Sequence, residues 1–258
     1  NYTLTQDINC NESATWNDGE GFRPIEDFRG NIDGAGHTIT GLYINRDAWG
    51  QALIMYTNPD AHVDIHDLTI TNADITAHGE ASALIAYPYD VKVDNIAITN
   101  SSITSDYSTG GLFAYAEIGT EQTIEVSNCS VNIVITHREN NGQQFRGGVI
   151  GYLYMEGDAG FRMHDSSSVL TTNDTTQMVG GAIGAVEAID GSTFVVNDSS
   201  TSGNIRGGDS VGGFVGSYSD QSYNNPSFDS VTNYAPIHGS TGVGGIVGVY
   251  TANDGTLS

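Results

Sequence analysis

Carboxylates and imidazoles gather at one stretch of this chain. Asp64 and Asp67 stand among His62 and His66, and Asp90 and Asp94 follow in the next repeat of the same pattern. Glycoside hydrolysis needs two carboxyl groups about 5–10 Å apart in a cleft, and this cluster is the best local candidate for it. A solvated acidic ladder explains the same residues equally well. Polysaccharide lyase chemistry needs cationic groups to neutralise a uronate carboxylate and a base to take the proton. The basic residues are scattered at 23, 29, 46, 92, 138, 146, 162 and 206, and Arg162 with His164 is the nearest approach to such a site. No catalytic residue is assigned on this basis.

Metal binding fits the composition better. Hard cations take several oxygen ligands from carboxylates and backbone carbonyls. Asp18-Gly19-Glu20 and Gly157-Asp158 read as loops able to offer them. Asp18, Glu20 and Asp158 are therefore the candidate ligands, and Ca²⁺ is the ion expected if one is held. Neither an EF-hand loop nor the Gly-Gly-x-Gly-x-Asp calcium repeat is present. No other cofactor is expected. Glycosylation sequons offer Asn1, Asn11, Asn100, Asn173 and Asn197 as acceptors. A further sequon at Asn128 is set aside because it adjoins Cys129, read as a small buried thiol. In a chain this rich in Ser and Thr, the number of sequons is close to chance.

These side chains must be carried by a repeated element. Val211-Gly212-Gly213-Phe214-Val215-Gly216 is echoed at Thr109–Ala114, Arg146–Gly151, Val179–Gly184 and Val243–Gly248. Degraded copies stand at Gln51–Tyr56 and Ser82–Tyr87. The first glycines fall at 110, 147, 180, 212 and 244, in steps of 37, 33, 32 and 32. A fixed period of this size signals a solenoid. The second half of each unit alternates apolar and polar residues and then meets Asp or Asn, as in Val91-Lys92-Val93-Asp94-Asn95-Ile96. Such alternation means strand, and no 3.6-residue period is sustained. Two or three short strands in a unit of this length fit one turn of a parallel β-helix.

Stacked turns would place like on like. One column holds Ala52, Ala83, Gly111, Gly148, Gly181, Gly213 and Gly245, and another holds Ile54, Ile85, Phe113, Ile150, Ile183, Val215 and Val247. The expected fold is all-β: a single-stranded right-handed parallel β-helix of about seven turns over residues 29–258, with residues 1–28 as lead-in strand and cap. Tyr56, Tyr87, Tyr115 and Tyr152 follow the strand core in four successive turns and give way to Ala185, Ser217 and Val249. They form either an aromatic stack at a corner or, if the rings face outward, a row of sugar-stacking rings.

The chain has 258 residues and a net charge of −23, with Lys92 its single lysine. Such a surface repels nucleic acid and anionic membranes. It suits high salt or a surface that attracts cations. No apolar run approaches the ~18 residues of a membrane span. Asn1 opens the chain in place of a start methionine, which reads as a mature or excised product. Cys10 and Cys129 lie about three turns apart, too far for a disulfide unless the N-terminal arm folds back.

Tyr2-Thr3-Leu4-Thr5-Gln6-Asp7-Ile8, then Phe28 through Leu42, then the Gly-Gly-Phe-Val-Gly units together resemble the GLUG-motif proteins. The resemblance covers nearly the whole chain. Its departures are the first two units, where alanine replaces the glycine pair, and the fourth full unit, where Ala182 and Ala185 replace larger residues. It implies a right-handed parallel β-helix in a secreted or cell-surface protein of a bacterium or archaeon, often an adhesin. No catalytic residues travel with it. The expected function is a non-enzymatic structural or adhesive one, as a fibre subunit or a segment of an adhesin rod. The alternatives are a carbohydrate-active enzyme or a carbohydrate-binding module. Surface glycans are expected partners; nucleic acid and membrane insertion are not. The turn holding Gly244, Ile246, Val247 and Tyr250 is as apolar as an inner repeat, so either head-to-tail self-association or continuation into a longer rod is expected there.

Overall fold

One repeat carries too few apolar residues to bury a face by itself, so it is stable only against its neighbours. The computed structural model describes residues 1–138, 144–172, 178–222 and 224–252. The chain winds as a right-handed parallel β-helix of about eight turns, with almost no helix. A typical turn runs through the strands Val91–Ser105, Thr109–Gly110 and Phe113–Ile118 before starting the next at Thr123–Ser127. Strand pairs between neighbouring turns are parallel and keep register through the stack, apart from one shift between Ile98 and Ser101 where Val91–Ser105 pairs with Ser130–His137. Tyr2–Thr3 pairs with Ile32–Asp33 and Ile8–Asn9 with Thr38–Thr40, so residues 1–28 supply the outermost layer of the same stack. Two short 3₁₀ turns, Asn11–Thr15 and Asn17–Gly19, lie beside it.

The apolar alternation becomes ladders of identical type. Ile32, Ile65, Val93, Val126, Met163 and Val196 occupy successive layers of one inward column, all buried. Burying each such side chain is worth about 1.5–3 kcal/mol. The column Ile54, Ile85, Phe113, Ile150, Ile183, Val215 and Val247 is in register through every layer.

The recurring Asp or Asn has a backbone cause. Asp67, Asn95, Asn128, Asp165, Asp198 and Ser230 stack at one corner, and all have φ between 49° and 56°. That left-handed conformation costs most L-residues about 1–2 kcal/mol, and Asn and Asp tolerate it best. The strand bends there, and the next residue turns inward. Leu68, Ile96, Cys129, Ser166 and Ser199 fill that next position, and all are buried. The serines satisfy themselves: the Ser166 hydroxyl donates to the His164 carbonyl and accepts the Cys129 N–H. Cys10 and Cys129 are both free and buried, and burial pushes the Cys129 thiol up to about 12.

The glycine column answers a second close approach. A Cβ on Gly111, Gly148, Gly181 or Gly213 would run into the carbonyl oxygen of the glycine one turn on. The missing side chain is the seat of that carbonyl. At Gly245 the same Cβ meets nothing within 4 Å. Gly213→Val should therefore cost about 1–3 kcal/mol, as insertion into a tight core does. Gly245→Val should leave the melting temperature of the isolated chain nearly unchanged. Equal melting of both variants would contradict this seat.

Candidate functional site

Four tyrosines stand in one outward column: Tyr56 pairs with Tyr87, Tyr87 lies one turn below Tyr115, and Tyr115 pairs with Tyr152. None belongs to the central apolar core, and all are half-buried. Tyr115 stacks on Tyr152 with ring centroids 5.0 Å apart, and Tyr87 meets Tyr115 edge-on at 6.4 Å. The column continues as Ala185, Ser217 and Val249 with the strands unbroken. Tyr87, Tyr115 and Tyr56 form one wall of a cleft of about 560 Å³, with Trp49, Tyr89 and Pro88 around them. Trp49 comes from the loop after the strand Tyr43–Arg46 and is 49% exposed. Its ring lies 4.7 Å from that of Tyr107, which fixes it. Gly50, with φ of 68°, lies against Tyr87, where a side chain would strike the ring.

Two carboxylates share the cleft. Glu80 is only 7% exposed, and the Tyr87 hydroxyl donates to its Oε2 at 2.7 Å. Burial holds Glu80 above the usual carboxylate range. It also raises the Tyr87 phenol, which the neighbouring Glu80 charge raises further. Glu117 lies at the exposed side. The tyrosine column was legible in the sequence. Trp49 and Glu80 were not, because their repeats offer no counterpart residues to reveal a column.

The cluster at residues 62–67 does not converge on one point. His62 Nδ1 pairs with Asp90 at 3.0 Å, one turn on. His66 Nδ1 lies 3.0 Å from Asp67 and 3.8 Å from Asp33. Asp94 accepts from Ser127 and Asn128. Beside them Asp64, Lys92, Glu125 and Arg162 occupy successive layers of one column, so charges alternate in sign along it. Such cross-strand pairs are the unit of sheet stabilisation. His164 is held by Asp165 and Glu125, while Arg162 is exposed beside a shallow hollow of about 210 Å³.

The expected cation ligands do not come together. Asp18 and Glu20 are exposed near the first turn, and Glu20 pairs with Arg46 at 2.7 Å. Asp158 accepts the backbone N–H of Glu121. Among the described residues, the group whose ligand atoms lie within 4.8 Å of one another is Asp33, His66 and Asp67. Asn1, Asn11 and Asn100 are exposed, and Asn197 is half-buried in the strand Thr193–Asn197. Asn173 lies outside the described residues. Asn128, set aside as adjoining a buried thiol, is itself exposed, because the left-handed corner points it away from Cys129.

At the far end of the described stack, Val243–Gly244 and Val247–Ala252 are edge strands. Ile246 and Val247 pack partly against the core, and Tyr250 is exposed, with its hydroxyl bonded to Asp220. At the opposite end, Tyr2, Ile8, Ile25 and Phe28 border an apolar recess of about 420 Å³. Among the described residues no helix is long and apolar enough to cross a membrane.

Fold and surface thus define a β-solenoid with an acidic exterior and an aromatic cleft. One stretch of it is similar to halomucin of Haloquadratum walsbyi: 82 residues, 31% of this chain, are 42% identical. The matched stretch spans 1% of halomucin's length. No family model matches the chain, and no solved structure matches it with significance. The likeness and the fold are consistent with an extracellular structural protein.

The His66–Asp67 pair makes a measurable prediction. The bond to Asp67, helped by the charges of Asp64 and Asp33, raises the His66 pKa above 6.5. A raised histidine stabilises the fold fully below its unfolded value, and that contribution is lost as pH rises through the folded value. Its imidazole resonance should titrate above 6.5, and Asp67→Asn, which tolerates the left-handed backbone, should lower the midpoint. A midpoint at or below the ordinary value would show that the pair does not form in solution.

Proposed function

We propose that this chain is a non-enzymatic segment of an extracellular structural rod, part of a secreted or cell-surface protein. The observation that carries the reading is the continuous parallel pairing from turn to turn, which makes each turn a platform for the next. The partial likeness to halomucin supports the extracellular placement. The Gly-Gly units act as GLUG-type repeats whose task is to seat successive turns. Among the described residues, most of the acidic side chains behind the charge of −23 lie at the surface of this rod. That charge keeps segments soluble and is tolerable where salt shortens the Debye length to about 3 Å near 1 M.

Among the described residues, both ends of the stack offer backbone groups and apolar side chains to a further turn, of a longer chain or of a second copy. Contacts of that kind are heterologous and, where they do not close, produce filaments. Gly244, Ile246, Val247 and Tyr250 lie on one such face, and the recess bordered by Tyr2 and Ile8 lies on the other. Adhesion through surface glycans or other partners belongs to the same reading.

Antibody raised against the chain should label intact cells that produce it, and labelling confined to permeabilised cells would overturn the extracellular placement. For assembly, the purified chain at high concentration should form end-to-end rods visible by negative-stain microscopy. Gly245→Val should abolish them while leaving folded single segments, because its side chain would occupy the seat of the next carbonyl. Monodisperse single segments for the unmodified chain would refute self-association.

A further inference from the structure

A tyrosine at this column is not required for one turn to pair with the next. Ala185, Ser217 and Val249 occupy the tyrosine position in later turns, and pairing continues through them. Trp49, half exposed, lines the same cleft from a separate loop. An indole and several phenols gathered at one open cleft leave apolar surface in water, and such patches mark ligand grooves. Between the rings stand one buried carboxylate, Glu80, and one exposed carboxylate, Glu117. No basic side chain lines the cleft among the described residues.

This combination has a chemical complement. A pyranose ring presents a C–H face that stacks on aromatic rings and a rim of hydroxyls that donate to carboxylates. An anionic sugar would meet the like charge of Glu117, so the cleft selects against uronates and sulfated glycans. We propose that the cleft binds a neutral oligosaccharide, its sugar rings stacked on Trp49, Tyr87 and Tyr115 and its hydroxyls bonded to Glu80 and Glu117. Gly50 leaves the Tyr87 ring room at the cleft, and Tyr107 holds Trp49 in place. This site is independent of end-to-end assembly.

The chain has two tryptophans, Trp16 and Trp49. Trp16→Phe therefore leaves Trp49 as the sole indole reporter. That variant is titrated with maltohexaose, cellohexaose and mannohexaose as neutral probes, with an oligogalacturonate as the anionic probe, and with Ca²⁺ alone. A saturable change in Trp49 emission is expected with at least one neutral hexaose and with neither of the other two probes. Adding Tyr115→Ala should weaken binding at least about tenfold, the scale of losing an aromatic anchor, with the fold retained because alanine already holds this column at Ala185. As a second variant, Trp49→Ala in the otherwise unmodified chain should show the same loss by calorimetry. The proposal is overturned if folded Trp16→Phe gives no saturable response to any neutral hexaose, if both ring variants bind normally, or if only oligogalacturonate or Ca²⁺ is bound.

Discussion

The structure depends on a carbonyl oxygen seated where a side chain is missing. At Gly111, Gly148, Gly181 and Gly213 the neighbouring turn's glycine carbonyl lies where a Cβ would stand. From Gly111 onward, successive turns bring their backbones this close at the corner as well as along the strand. The two close approaches reinforce each other: the seat fixes the register, and the register brings the apolar columns into line. Ser82 and Ala83 stand in the early turn that pairs with Thr109–Gly110, so the seat is obligatory only from Gly111 onward.

The second corner solves a different problem with different residues. A strand that turns sharply needs one residue at positive φ, and the chain supplies Asp67, Asn95, Asn128, Asp165 and Asp198. Asp, unlike glycine, also leaves a carboxylate at the surface. Two of these carboxylates hold the histidine just before them, Asp67 with His66 and Asp165 with His164. Part of the acidity of this protein is thus a by-product of its corner geometry. The alternating column Asp64, Lys92, Glu125 and Arg162 shows scarce cations placed between acids where strands bring them adjacent.

The outward tyrosines belong to neither problem. They line up because the stack aligns everything at a given position, and they are free to serve the surface because the core is filled by the opposite face. A solenoid separates these roles cleanly, so one face of a turn can vary without disturbing the others. Trp49 and Glu80 exploit that freedom, entering the same cleft from outside the repeat pattern.

The sequence by itself determined the fold class, the repeat period and the register, since identical types at a fixed spacing leave one way to stack. The columns through Gly213 and Val215 and the tyrosines through Tyr152 are read directly from that spacing. Only the tertiary structure decided which way the tyrosines point, because alternation names two faces without saying which one meets water. It also decided that Asp18, Glu20 and Asp158 stay apart while Asp33, His66 and Asp67 meet. Proximity between turns follows strand register, and the loops that carry Asp18, Glu20 and Asp158 lie outside that register. Trp49 and Glu80 lie outside the repeated columns, and their place at the cleft follows from the path of a loop, which no periodicity encodes.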